Sequence, residues 1–125
     1  MAEVTPDGQV IAEWYGRQGA TFNRRYRWST GTPAVPVDLS GWIARMHLRT
    51  KVDDAVILLE LTTENGGIAL EAGGAGWIDI VISAAQTKLL PKKAVFDLEL
   101  ESATGFVRNL VGGTLALGAN ATREL

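Results

Sequence analysis

The 125-residue sequence has no cysteine and a single histidine, His47. Without cysteine the chain cannot form disulfides, thiolate metal sites or a cysteine nucleophile. One histidine alone argues against a zinc site, and no Gly-x-Ser-x-Gly elbow accompanies it to suggest a catalytic triad. We therefore expect no metal, no cofactor and no catalytic residue, and we expect His47 to be a surface or interface residue.

Long apolar runs and a strong charge of either sign are also missing. The longest apolar runs, such as residues 55–59, are far too short to cross a bilayer, and the polar start lacks the features of a signal peptide. The net charge is −2, with six arginines and four acids in residues 1–50 and six basic against ten acidic residues in 51–125. Nucleic-acid binding would need a clear basic excess. These absences predict a soluble protein that binds neither membranes nor nucleic acids.

What the chain does contain is strand patterns separated by turn residues, including 14 glycines. Residues 94–101 alternate apolar and acidic side chains, and residues 106–111 return after a turn at 102–105, which predicts a β-hairpin. Gly112 and Gly113 predict an interruption or bulge in the returning strand. Candidate strands cover residues 10–15, 21–29, 41–49, 56–62, 67–70, 77–83, 94–101, 106–111 and 114–117. One short helix is expected at 83–90, capped by Ser83 and ended by Pro91.

Eight or nine short strands at this spacing are typical of an all-β protein, either an antiparallel β-sandwich or a partly open barrel. We expect one sandwich domain over residues 9–117, a flexible N-terminal arm over 1–8 and a C-terminal tail over 118–125. The alternation also assigns the inward faces of three strands. The expected core rows are Phe22, Tyr26 and Trp28; Trp42, Ala44, Met46 and Leu48; and Ile78, Ile80 and Ile82.

Two acidic residues are a further candidate for chemistry. Asp97 and Glu99 lie two apart on one strand face, about 7 Å between Cα atoms, which is near the spacing of paired glycosidase carboxylates. Glycosidases take their two acids from different strands that flank a cleft, so a solvated outer face is the favoured interpretation. This face is open to cross-strand pairing with Arg25, Arg27 or Arg108.

Aromatic and charged residues define a candidate interface. Two exposed rings among Trp14, Tyr15 and Trp77 would stack on a sugar or fill a pocket in a protein partner, although half-buried packing is the favoured role. Arg25 and Arg27 on one strand face complement the acids of another. The candidate interface residues are Trp14, Tyr15, Arg25, Arg27, Trp77, Asp97, Glu99 and Glu101.

Six segments resemble, in order, a small β-domain of tailed-bacteriophage virion proteins. They are GATFNRRYRW, VDLSGWIARMHLR, LLELTTENGGIAL, WIDIVISAAQTKLLP, FDLELESATGFVRNLVGGTLAL and NATRE, and the first of them begins at Gly19. The resemblance as a whole extends over about residues 11–123. The domain is similar in style to the N-terminal Ig-like sandwich of baseplate upper proteins, which anchor receptor-binding proteins to the tail tip. The resemblance implies an Ig-like or jelly-roll-like sandwich and brings no catalytic motif.

The function implied by this resemblance is that of a non-enzymatic structural or adaptor protein of the virion, assembled in the host cytoplasm. The tail tip, baseplate and fibre attachment region are the expected locations. Other phage structural proteins are the expected partners, and a homo-oligomer is the expected state in the particle. The alternatives are a capsid decoration protein and a carbohydrate-binding module, and an enzyme ranks last.

Overall fold

The computed structural model describes residues 2–4, 10–71 and 73–119. These contain ten strands and one helix, and they confirm the predicted all-β sandwich with a short helix. The elements are β1 (Ala2–Val4), β2 (Val10–Arg17), β3 (Phe22–Thr30), β4 (Val35–Pro36), β5 (Ile43–Arg49), β6 (Leu59–Thr62), β7 (Ile68–Leu70), β8 (Trp77–Ile82), α1 (Ala84–Leu89), β9 (Lys93–Glu101) and β10 (Val107–Gly118).

The strands form two five-stranded sheets. The first sheet has the order β1-β3-β8-β7, with the two-residue β4 also paired to β3, and the second has the order β2-β10-β9-β5-β6. Most pairs are antiparallel, as the sequence predicted. Two pairs are parallel, β1 with β3 and β2 with β10. The N-terminal part of the chain therefore adds one parallel strand to each sheet.

The core lies between the two sheets and includes the predicted inward rows. Met46, Leu48 and the three isoleucines of β8 are fully buried, and Trp42 packs against them from a half-buried position. Each such aliphatic side chain stabilises the fold by about 1.5–3 kcal/mol through removal of apolar surface from water. The outward residues of β5, Arg45 and His47, stay partly exposed. Strand alternation alone therefore located a substantial part of the core.

The predicted helix is confirmed as α1, and its start is chemically defined. The Ser83 hydroxyl accepts a hydrogen bond from the Gln86 backbone N–H, and the Gln86 side chain accepts one from the Ser83 backbone N–H. This reciprocal capping box satisfies two N–H groups that a helix start leaves without partners. The helix ends at Leu89, before Pro91.

Two predicted strands have different limits in the structure. Residues 56–58 form a loop, and β6 starts only at Leu59. Asp54 holds this loop with two hydrogen bonds: its carboxylate accepts one from the Val56 N–H, and its backbone carbonyl accepts one from the Arg49 side chain. The strands predicted at 106–111 and 114–117 are one strand, β10, and its register shift lies between Asn109 and Val111, before the glycines.

Gly113 explains why β10 continues instead of breaking. Its φ is +155°, and a Cβ at this position would overlap the Ala12 carbonyl oxygen and lie 2.8 Å from the Ala12 carbonyl carbon. A real Cβ cannot approach the backbone so closely. The glycine therefore permits the close parallel pairing of β2 with β10.

The expected terminal arms are only partly described. Within the arm at 1–8, Ala2–Val4 forms β1 in the first sheet, and residues 1 and 5–8 lie outside the described residues. Within the tail at 118–125, Gly118 ends β10 and the Ala119 carbonyl accepts a hydrogen bond of 3.0 Å from Arg17 Nη1, while 120–125 lie outside the described residues. No helix in the described ranges has the length and apolarity needed to span a membrane.

Candidate functional site

The outer face of the first sheet carries a cluster that we call the Trp77 surface: Arg25, Arg27, Glu71, Trp77 and Asp79. The Arg25 guanidinium lies 4.3 Å from the centroid of the Trp77 ring, and that of Arg27 lies 5.2 Å from it. Arg25 Nη2 contacts Glu71 Oε2 at 2.8 Å, and Arg25 Nε contacts Asp79 Oδ1 at 3.0 Å. The cluster thus combines two cation–π contacts with two ion pairs.

Strand register assembles the Trp77 surface. On β3 and β8, Arg25 is directly opposite Asp79 and Arg27 is directly opposite Trp77. Arg27 Nε also donates to the Ala75 carbonyl at 3.0 Å. The Arg25 side chain is 45% exposed, so water screens its ion pairs and each contributes no more than about 1 kcal/mol. The Trp77 ring lies against two guanidinium groups, which reduces the area that a sugar ring would use for stacking.

The outer face of the second sheet carries a second cluster, the Arg45 surface: Arg45, His47, Arg49, Asp97, Glu99 and Glu101. Arg45 Nε donates to Glu99 Oε1 and Arg45 Nη2 donates to Glu101 Oε1, each at 2.9 Å. Arg45 is directly opposite Glu99 in the β5–β9 register. These two carboxylates raise the pKa of the Arg45 guanidinium above its usual value by hydrogen bonding.

His47 is the next outward residue on β5 after Arg45. Its Nε2 lies 2.7 Å from Glu60 Oε2, and its Nδ1 lies 3.3 Å from Arg49 Nη2. Because arginine is only a donor, Nδ1 accepts in this arrangement and the proton is on Nε2, which donates to Glu60. His47 therefore connects Arg49 to Glu60 along the face of the sheet, which agrees with the predicted surface position.

A shallow depression of about 250 Å³ lies on the Arg45 surface, with Arg45, His47, Arg49, Asp97 and Glu99 among its lining residues. This is smaller than most small-molecule sites, which enclose about 300–1,000 Å³ and are mainly apolar. Its charges already contact one another. Among the residues that the structure describes, no three His, Cys, Asp or Glu side chains are grouped to hold a metal ion.

The structure changes the interpretation of Trp14. We expected it among the candidate interface residues, but its side chain is 2% exposed and stacks on Phe96 with ring centroids 3.9 Å apart. Its indole N–H donates to the buried Tyr26 hydroxyl at 2.8 Å. An even position on β2 places it inward, so Trp14 belongs to the core. Tyr15, the next residue, points outward and is 66% exposed.

The two charged rows expected to complement each other lie on different sheets. Arg25 and Arg27 are on β3 of the first sheet, whereas Asp97, Glu99 and Glu101 are on β9 of the second, so the outer faces that carry them point in opposite directions. They do not pair within one subunit. Each row has partners on its own sheet instead, such as Glu71 for Arg25 and Arg45 for Glu99.

Sequence reasoning did not identify Arg45 as the partner of the acids. To identify this pairing, one must know that β5 lies beside β9 in the sheet. Local sequence patterns do not contain the order of the strands. The alternation did predict that Arg45 lies on an outward face, but it did not predict that Arg45 pairs with Glu99 and Glu101. A scan against protein-family models and a search of curated proteins both found no match to this chain.

Proposed function

We propose that this chain is a non-enzymatic structural or adaptor protein of a tailed-bacteriophage particle, in the tail tip, baseplate or fibre attachment region. The observation that carries the proposal is the resemblance of six ordered segments to a small virion β-domain. Five of these segments fall on β3, β5, β6–β7, β8–α1 and β9–β10, and so they supply strands to both sheets of one sandwich. The quoted segments therefore contain strands of both sheets, while β1 and β2 lie outside them.

The chemistry of the outer faces supports an adaptor over a hydrolase. Asp97 and Glu99 are neighbours on one strand rather than on two sides of a cleft. Glu99 already accepts a hydrogen bond of 2.9 Å from Arg45 within a surface ion pair. Both outer faces carry charges of both signs, and at protein–protein contacts such charges determine register and partner choice.

The aromatic residues give less support to a carbohydrate-binding module. Of the three proposed rings, Trp14 is in the core and Trp77 lies against Arg25 and Arg27. Tyr15 is exposed, but no second exposed ring of this set lies beside it to form a sugar platform. Capsid decoration is an alternative role for the same sandwich, and the location on the particle separates it from the tail role.

Immunogold electron microscopy of purified particles from the phage that carries this gene tests the proposal. Antibody raised against the folded protein should label the tail tip or baseplate, and the label should disappear when the antibody is first absorbed with purified protein. Label on the head would replace the tail role with capsid decoration. Mass spectrometry of the same particles detects a copy that antibody cannot reach. Absence of the protein from the particles by this measurement would refute a virion role.

A further inference from the structure

Strand β2 forms one edge of the second sheet, and its outer edge has no strand partner among the described residues. It pairs with β10 on one side only. The Gln18 N–H donates to the Gly118 carbonyl at 2.9 Å, so the even-numbered backbone groups here face β10. Because backbone groups alternate along a strand, the N–H and C=O groups of Ile11, Glu13 and Tyr15 face away from β10.

Among the described residues, this edge has little of the usual protection against pairing with another chain. Natural edge strands are often short or carry charged residues, especially lysine, or a proline or a bulge. Strand β2 is eight residues long and contains no lysine or proline, and its two charges, Glu13 and Arg17, are of opposite sign. Its outward side chains include Ile11, 75% exposed, and Tyr15, 66% exposed. A groove of about 680 Å³ runs beside the strand, between Val10–Trp14 on one side and Asn23–Tyr26 on the other.

We propose that β2 is a self-association edge, at which two copies of this chain pair their β2 strands antiparallel with Tyr15 at the two-fold axis. In this register Glu13 of each copy is directly opposite Arg17 of the other, and Tyr15 is opposite its counterpart. Because the Arg17 carbonyl already accepts a hydrogen bond from the Ala20 N–H, the result is about four new backbone hydrogen bonds and two symmetric ion pairs. The second sheets of the two copies become one continuous ten-stranded sheet.

The charges of Glu13 and Arg17 favour this register over the registers that are centred on an adjacent residue of β2. Centring the pair on Glu13 or on Arg17 places like charges opposite each other, and centring it on Trp14 or Gly16 leaves both charges opposite uncharged residues. Only the Tyr15 register pairs Glu13 with Arg17. The Tyr15 hydroxyl donates to one carboxylate oxygen of Glu13, and one guanidinium nitrogen of Arg17 donates to the Ala119 carbonyl. The second carboxylate oxygen and the other guanidinium nitrogens can therefore form the ion pair between the two copies.

Cysteine cross-linking tests the register directly, because the native chain contains no cysteine. In the proposed dimer the two Cα atoms at position 15 are about 5.5 Å apart, within the range of a disulfide, so Tyr15→Cys should form a disulfide-linked dimer on oxidation. Ile11→Cys is the matched control, on the same face and similarly exposed. Its two Cα atoms would be roughly 27 Å apart, and it should cross-link far more slowly. Equal cross-linking rates for the two variants would overturn the proposal.

Charge reversal tests the ion pairs without relying on a disulfide. Glu13→Arg and Arg17→Glu should each weaken dimerisation about fivefold or more by sedimentation equilibrium, since each places like charges opposite each other. The double variant restores opposite charges and should recover most of the lost affinity. A double variant as weak as the single ones, or a wild-type chain that stays monomeric at all concentrations, would refute the proposal. Particle labelling is independent of these results, so the proposed function and the self-association edge can fail separately.

Discussion

The two buried tryptophans of the core provide a matched experiment on the value of one hydrogen bond. Trp14 and Trp28 are both almost fully buried, at 2% and 3% exposure. Trp14 Nε1 donates to the Tyr26 hydroxyl, whereas no group in the described residues accepts from Trp28 Nε1. Replacing either by phenylalanine removes a similar apolar volume, but only one replacement leaves a buried polar group without its partner.

The structure therefore predicts unequal losses of stability. Trp28→Phe should lower the free energy of unfolding by about 1–2 kcal/mol, from lost burial and a small cavity. Trp14→Phe carries a similar loss and also leaves the Tyr26 hydroxyl unpaired, which costs about 1–3 kcal/mol more. Urea denaturation followed by far-ultraviolet circular dichroism measures both, and this probe does not depend on tryptophan fluorescence.

A double-mutant cycle separates the hydrogen bond from differences in packing, such as the contact of Trp28 with Trp42. The cycle compares the stability loss of the double variant with the sum of the losses of Trp14→Phe and Tyr26→Phe. We expect the two to differ by a coupling energy of about 1 kcal/mol, because either single change already breaks the hydrogen bond. If Trp28→Phe destabilises the protein as much as Trp14→Phe and the coupling is zero, the reasoning from the unpaired indole N–H is wrong.

Three further changes follow from backbone and surface geometry. Gly113→Ala should lower the free energy of unfolding by at least about 1 kcal/mol, because the added Cβ meets the β2 backbone. Gly74→Ala is the control, since nothing lies near its Cβ, and it should change this free energy by no more than about 0.5 kcal/mol in urea denaturation. Equal effects of the two changes would contradict the close approach. Ser83→Ala should cost about 1 kcal/mol in the same assay through loss of the helix cap, and an unchanged stability would mean that the cap contributes nothing. The hydrogen bond and charge of Glu13 raise the pKa of Tyr15 above its usual value, so Glu13→Ala should lower that pKa in an ultraviolet titration of the phenol; this bond stabilises the fold below the ordinary phenol pKa and is lost as pH rises through the raised one. A titration curve that does not move would show that the bond is absent in solution.

Local patterns predicted the parts of the fold that depend on one strand at a time. The alternation in β5 and β8 placed their apolar residues inward because a period of two leaves one face to the core. The Ser83 cap and Pro91 located the helix for a similar reason, since capping is decided within a few residues. These features need no knowledge of what lies beside the strand.

Strand neighbours and strand direction could not be derived in the same way. The alternation in β2 is the same whether its partner is parallel or antiparallel, so the parallel pairing with β10 left no signal. Gly113 was interpreted as an interruption because glycine both weakens a strand and allows close backbone approach, and only the position of Ala12 separates these roles. Glu99 was assigned possible arginine partners without Arg45 because the order of β9 and β5 was unknown.

The parallel pairing of β2 with β10 also orders events during synthesis of the chain. The two strands are about a hundred residues apart in sequence, and β10 lies between β2 and the rest of the second sheet. Strand β2 therefore leaves the ribosome long before its partner exists, and the second sheet cannot be completed until β10 has followed it. Such a non-local closure is slow because a long loop must be ordered first. Through most of translation, both edges of β2 are available to other chains.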